Sequence, residues 1–254
     1  MKLRILGSGT SSGVPRIGND WGSVDPAQPK NRRLRASALA TVGSQRVLID
    51  AGPDLREQLN TAGIGAVDRV IVTHDHADHI HGLDDLRQVA HNRGDQVPVY
   101  GRADLIERLR ERFRYLFDGN ALYPAVCRTQ EIAGEWEVEG VRVRFVDQPH
   151  GRITSLGIRF DEGGRSLVYS IDYVTLTDAM ASLYAGANIW VSDCLRRRPH
   201  PTHAHLDAVL GWARELRVGH LVLSHLDNSM DHAQLVSELP DWVEPAFDGL
   251  ELEL

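Results

Sequence analysis

Short apolar runs that stop at polar or turn-forming residues dominate the chain. On this pattern residues 3–6, 36–42, 45–49, 68–73 and 97–101 read as strands, with a turn at Gly43-Ser44 joining the second and third. Residues 132–140 and 141–146 read as a hairpin, and 154–160 and 165–170 as two strands about a Gly163-Gly164 turn. Residues 189–191 and 220–223 read as buried strands. Helical character marks 55–62, where Asp54 as N-cap and Glu57 three residues on outline a capping box. It also marks residues from about 79 to 92, 176–184, and an amphipathic stretch that runs to Leu216. Leu105, Leu109, Phe113, Leu116 and Phe117 recur at helical spacing and belong by default to the core; Tyr115, Phe117 and Tyr123 are also candidates to roof a site. No fixed period recurs and no linker marks a boundary, so residues 1–254 are expected to form a single domain.

Composition narrows the classes without choosing among them. At 254 residues, 42% hydrophobic and 25% charged, the make-up is that of an ordinary globular protein. No apolar run approaches the roughly 18 residues needed to cross a bilayer. Residues 1–6 give way too soon to Gly and Ser for a signal peptide, so a cytoplasmic protein with no membrane partner is expected. The net charge of −7 argues against a broad polyanion-binding surface, and no extended nucleic acid is expected as a partner. Two basic clusters run against that balance: Lys30, Arg32, Arg33 and Arg35, and Arg196-Arg197-Arg198. Each would serve either a small anionic substrate or a solvated face. The two cysteines, Cys127 and Cys194, lack metal-ligand spacing and fit a reducing compartment.

Candidate chemistry gathers where strands end. The run at 70–72 leads into Thr73-His74-Asp75-His76-Ala77-Asp78-His79, and the helical pattern resumes at once. His74 and His76 are two apart, a spacing that points both side chains the same way only in extended chain. Asp78 and His79 are adjacent and on a tight turn can face a second point, which suggests two metal ions rather than one. Polar groups crowded after a buried strand need partners. Asp50, His150, Asp172 and His225 also follow strand-like runs, and Ser224-His225 repeats the pattern of Thr73-His74. On the residues alone His150 is as readily a lone strand-end histidine as a ligand. The glycines of residues 7–15 are spaced G-x-G-x-x-x-G with no helix after them, which rejects a dinucleotide site. They leave a loop whose N–H groups could meet a phosphate.

The row Thr73-His74-Asp75-His76-Ala77-Asp78-His79 resembles the T-H-x-H-x-D-H motif of metallo-β-lactamase-fold hydrolases. The resemblance implies an α/β fold, an αββα four-layer sandwich of two mixed β-sheets flanked by helices, with the site at one edge. It implies that His150 completes the first ion's histidines and that Asp50 braces the metal loop. It also implies that Asp172 is shared, since two carboxylate oxygens can bridge ions about 3.5–4 Å apart. The expected ligand sets are His74, His76, His150 and Asp172, and Asp78, His79, His225 and Asp172. This donor mix suits two divalent metal ions per chain, Zn2+ or Mn2+ with Fe2+ also compatible, which would acidify a bridging water into the attacking hydroxide. His203 is the candidate to steady the substrate or protonate the leaving group; Asp78 joins it as a catalytic candidate and His205 is a second histidine choice. Helix capping is the alternative role for His203.

Residues 6–15, 50–58, 199–206 and 247–249 are similar to the PhnP-type branch of these hydrolases, and together the matches span nearly the whole chain. The branch implies hydrolysis of small anionic, cyclic phosphodiesters, with His203 in the place of its catalytic histidine, and by analogy a homodimer. The branch also carries a structural zinc on three cysteines after the Gly-Val-Pro loop and a histidine near the C-terminus. Here residues 18–25 contain no cysteine and Asn228 stands at the histidine's place, so no structural zinc is expected. That loop borders the site, so the substrate can differ from the branch's own. Thioester hydrolases, lactonases and tRNA-processing nucleases share the metal motif and remain alternatives. Neither the Gly/Pro-rich arm of the nucleases nor the C-terminal helical domain of a glutathione-thioester enzyme is evident. A metal-binding or regulatory module without activity is disfavoured because every expected ligand is present.

Overall fold

In the computed structural model, which describes residues 1–254, the strands fall into two seven-stranded sheets. The chain first lays down β1 (Lys2–Gly7), β2 (Ser37–Val42), β3 (Gln45–Ile49), β4 (Arg69–Ile71), β5 (Val97–Gly101) and β6 (Cys127–Glu131) as neighbours in that order. It then builds the second sheet from β7 (Trp136–Val138), β8 (Val141–His150), β9 (Ile153–Glu162), β10 (Arg165–Ser170), β11 (Ile189–Asp193), β12 (His220–Ser224) and β13 (Val243–Pro245). The last strand, β14 (Glu251–Glu253), returns to the first sheet beside β1. Both sheets are mixed: β1 to β3 and β7 to β10 pair antiparallel, while β3 to β6 and β10 to β13 pair parallel.

Alternation along the strands makes the layers. The inner faces of the two sheets meet in one apolar cluster that includes Leu3, Ile5, Ile49, Phe160, Val191 and Val222. Truncating a buried side chain such as Phe160 to Ala would cost ~3–5 kcal/mol. The outer face of the first sheet is covered by α1 (Leu55–Ala62), α2 (Ala77–Ile80), α3 (Leu86–Arg93), α4 (Ala103–Arg112) and α5 (Arg114–Phe117). The outer face of the second is covered by α6 (Asp178–Tyr184), α7 (Leu206–Glu215) and α8 (His232–Glu238), packed on Trp190 and its neighbours. This is the αββα sandwich the motif implies.

Several local expectations are corrected. The helix expected over 79–92 is broken into α2, a single 3-10 turn (Leu83–Asp85) and α3. The break follows from a close crossing: the Gly82 N–H donates to Ala51 O, and a Cβ on Gly52 or Gly82 would collide with the carbonyl of Asp78 or Gly52. Asp54 caps nothing with its side chain, because Arg35 claims both of its oxygens through a backbone N–H and a guanidinium, each at 2.8 Å. The strand expected over 68–73 has only three ladder residues. β8 runs on to His150, pairing with β9 to a tip at Gly151-Arg152, so the hairpin carries its last residue straight to the sandwich edge.

Candidate active site

Along that edge, several of the candidate residues sit at the C-terminal ends of strands. Asp50 follows β3, His74 follows β4, Asp172 follows β10 and His225 follows β12. Asp50, Asp172 and His225 all adopt left-handed backbone, with φ of 62°, 60° and 60°. For residues with a Cβ this costs of order 1–3 kcal/mol each and is concentrated at functional sites. The turn each makes aims its side chain back across the strand ends.

The side chains converge. His74, His76 and His150 bring nitrogens within 4.8 Å of one another, as do the donor atoms of His74, His79 and Asp172 and those of Asp78, His79 and His225. Asp172 lies between the groups: Oδ2 is 2.9 Å from His79 Nε2 and 3.8 Å from His225 Nε2, and Oδ1 is 3.5 Å from His150 Nε2. His79 Nε2 also stands 3.2 Å from Asp78 Oδ2.

Outer partners decide which nitrogen each ring presents. Asp50 accepts the Thr73 N–H at 2.7 Å and the Thr73 hydroxyl at 2.8 Å, and its Oδ2 lies 2.8 Å from His79 Nδ1. Asp50 thus joins the start of the loop to its last histidine, as the resemblance implies. His74 Nδ1 meets Thr73 Oγ1 at 3.0 Å, His150 Nδ1 meets Thr202 O at 2.9 Å, and His225 Nδ1 lies 3.3 Å from Asp193 Oδ1. In each case the opposite nitrogen is left facing the centre.

Burial and mutual charge shape the electrostatics. Burial, reinforced by the neighbouring His79, pushes the His74 imidazole well below its usual range. Burial opposes charge on His79 and His225 too, but the surrounding carboxylates outweigh it, holding His79 well above its ordinary value and raising His225 to about 10. Burial likewise opposes the Asp172 charge, and the imidazoles of His225 and His79 overcome it and hold the carboxyl well below the usual range. The residues fit divalent cations. Buried atoms His74 Nε2, His79 Nε2, Asp172 Oδ2 and His225 Nε2 have no hydrogen-bond partner although they face one another, an arrangement that is costly unless something binds all four.

A cavity of about 320 Å3 opens over this cluster, lined among others by Ser11, His76, Asp78, Arg152 and His203. His203 lies in the loop ahead of α7 rather than on it, with Nδ1 3.1 Å from Asp193 Oδ2 and 3.4 Å from Asp172 Oδ1. His205 takes the N-cap position of α7 and does not line the cavity. Tyr115 and Tyr123 line a separate cleft of about 680 Å3 with His91 and Val126, and Phe117 is buried in the outer core, so none of the three roofs the site.

Asp193 is the residue that sequence reading passed over. Its signal was available, a carboxylate closing a buried strand in the manner of Asp50 and Asp172. Two residues of the cluster at 30–35 prove structural. Arg33 is buried and donates to Asp227 O, Met230 O and Asn31 Oδ1, while Arg35 pairs with Asp54. The N–H groups of Ser8, Gly9, Thr10 and Gly13 are taken by Asp248 and by backbone carbonyls, and the loop brings Ser11 to the cavity lining. The loop at 16–24 packs on Asn228, whose Nδ2 donates to Asp20 Oδ2 and whose carbonyl accepts from Ser23 N–H.

A family model described as the beta-lactamase superfamily domain matches residues 45–226, well over half of the chain. The chain belongs to the metallo-β-lactamase-fold hydrolases. Within that superfamily it is PhnP-like: its whole length superposes on 96% of a crystal structure described as a new diphosphatase from the PhnP family, with a TM-score of 0.90 and 35% identity. Zinc-bound PqqB from Methylobacterium extorquens shares the fold over both complete chains, with a TM-score of 0.80 and 21% identity. Among curated relatives, an octanoyltransferase of Porphyromonas gingivalis is 30% identical over 99% of this chain, which spans only 51% of that longer protein. Ribonuclease Z of Mycobacterium bovis is 27% identical over 66% of this chain and 67% of its own length. No helix of this hydrolase is long and apolar enough to cross a membrane.

Proposed function

We propose that this metallo-β-lactamase-fold hydrolase cleaves small phosphodiesters, cyclic ones included, with residues 1–254 acting as one catalytic unit. The reading is carried by the gathering of unpartnered buried atoms of His74, His79 and His225 around Asp172 beneath the cavity. Likeness to the PhnP-family diphosphatase and to ribonuclease Z supports phosphorus–oxygen bond cleavage as the chemistry.

His74, His76, His150 and Asp172 would hold one divalent ion and Asp78, His79, His225 and Asp172 the other, with Zn2+ and Mn2+ both suited to the donors. Bound there, the ions would supply charge neutralisation at the phosphoryl oxygens and lower the pKa of attacking water. Asp78 completes the second set and its carboxylate faces the cavity, placed to accept a hydrogen bond from the attacking water. His203 serves the opposite end of the reaction. With Nδ1 held by Asp193, its Nε2 is free to present a proton to the departing alkoxide. Arg152, at the β8–β9 tip, adds a fixed positive charge to the cavity lining and would favour an anionic substrate.

The test is turnover of a chromogenic phosphodiester by metal-free protein reconstituted with Mn2+ or Zn2+, beside a phosphomonoester, a thioester, a lactone and a precursor tRNA. Preference for the small diester is expected. Preference for thioester or lactone would overturn the phosphodiesterase reading while keeping the metal site. Preference for the tRNA would move the function to the nuclease alternative that the ribonuclease Z likeness supports.

A further inference from the structure

One histidine of the cluster lacks the outer partner that the others have. The rings of His74, His79 and His150 are steadied through Nδ1 by Thr73, Asp50 and Thr202, and His225 Nδ1 has the Asp193 carboxylate 3.3 Å away. His76 faces the cluster with Nδ1, 3.1 Å from His150 Nε2, and it is exposed, with no protein group on its far nitrogen. A ligand histidine left to its own rotamer freedom would be a poor one.

What holds His76 lies on the other side of the chain. His76 has extended backbone, and Asp75 before it sends its side chain away from the cluster. That residue, Asp75, is buried against α4. Its Oδ2 accepts from Arg108 Nε at 3.0 Å and lies 3.0 Å from an Arg112 guanidinium nitrogen. Arg112 also donates to the Asp75 main-chain carbonyl at 2.8 Å. Arg108 and Arg112 are one helical turn apart and so share a face of α4. The helix itself is fixed, with Leu105 and Leu109 in the core and Arg102 at its start bonded to Asp147 and Ile132 O.

We infer that Asp75, gripped by Arg108 and Arg112, is a positioning residue that sets His76 through the backbone and so sets the affinity of the first ion's ligand set. This rests on the proposal that His74 and His76 hold an ion. The two guanidiniums also offset the Asp75 charge, so the clamp orients the loop without adding net negative charge beside the ligands.

The experiment is Zn2+ titration of metal-free protein against a chromophoric chelator for wild type, Asp75→Asn, Arg112→Gln and the double variant. Co2+ absorption of each gives a second readout of ligand geometry. Expected are two binding steps in wild type, one of them weakened about tenfold in each single variant, the magnitude typical of lost outer partners. The other step and the melting temperature of the metal-free protein should hold. The double variant should lose less than the sum of the two single losses, because both remove the Arg112–Asp75 side-chain pair. Arg112→Gln leaves Arg108 on Asp75 and carries the test should Asp75→Asn fail to fold. Equal weakening of both steps, or unchanged affinity in the variants, would overturn the inference while the metal site stands. A wild type that binds no Zn2+ would overturn both.

Discussion

Asp193 Oδ2 stands 3.1 Å from His203 Nδ1, while the other oxygen of the same carboxylate lies 3.3 Å from His225 Nδ1. One buried side chain at the end of β11 therefore orients both the candidate proton donor and a candidate ligand. Two substitutions separate these duties. His203→Ala should keep both metal ions and lose about 10²–10⁴ in kcat toward a diester. Asp193→Asn should lower kcat and also weaken one metal-binding step, because it loosens two imidazoles at once. Steady-state kinetics with elemental analysis of dialysed protein reads both, and an Asp193→Asn enzyme of wild-type activity would refute the orienting role.

Asp50 and Asp172 make a contrasting pair. Asp172 faces the cluster with an unpartnered buried oxygen, whereas Asp50 reaches it only through Thr73 and His79. Asp172→Ala should therefore abolish activity and reduce metal content below two ions per chain, while Asp50→Ala should retain the ligands and weaken metal affinity about 10–100-fold. Chelation of wild type should lower the melting temperature and re-addition of metal should restore it, since an ion that binds only the native state stabilises it. Full metal content in Asp172→Ala would remove the bridging assignment.

Arg33 is a buried guanidinium whose partners are two main-chain carbonyls and Asn31. Burial lowers its pKa to about 10, despite the nearby Asp248, Asp231 and Asp227, and it remains charged at neutral pH. Arg33→Met removes the charge but strands the carbonyls of Asp227 and Met230, so it should cost roughly 3 kcal/mol in urea unfolding. Arg33→Lys should recover only part of this, lacking the planar fork. A neutral Arg33→Met would show that the clamp contributes nothing to stability.

His232 gives a pH signature away from the metal cluster. Burial, with Lys30 and Arg33 adding their positive charges against Asp231 and Glu244, pushes its imidazole down to about 4. An unfolded histidine titrates near 6.5. Between those values the unfolded chain takes up a proton that the native protein refuses, so the contribution is complete above about pH 6.5 and falls as the pH drops toward 4. His232→Gln lacks this loss. Relative to wild type, the variant should gain on the order of 1–2 kcal/mol between pH 7 and pH 4 in urea melts, less than the full shift because solvent screens part of the charge. A stability difference that does not change with pH would contradict the shift.

The residues at strand ends were legible because buried strands leave few reasons for a carboxylate or imidazole to follow them. Asp50, His74, Asp172 and His225 all announce themselves that way, and the layered fold follows from the same alternating runs. What stayed hidden depends on partners distant in sequence. Asp54 has the spacing of a helix cap, and only the fold brings Arg35 to claim it. Arg33 looks like part of a charged surface until Asp227 and Met230 close over it. The elements after His225 went unread because they are short, although Asp231 caps α8 by accepting the Gln234 N–H, a local signal that was there to use. Arg108 and Arg112 look like an ordinary basic helix face, and nothing in the spacing ties them to Asp75.

The pairing of β14 with β1 has a consequence for how the first sheet is protected. All the candidate ligands, up to His225, precede Glu251–Glu253 in sequence, yet β1 is flanked on both sides only once those residues pair with it. Until then β1 is an open edge, with backbone donors and acceptors available to any other extended chain. A pairing that spans almost the whole sequence is also among the slowest to form. A folding chain in which β14 has not yet docked would thus hold its metal-binding side chains while β1 stays exposed to misassociation, and the docking of three residues is what covers it.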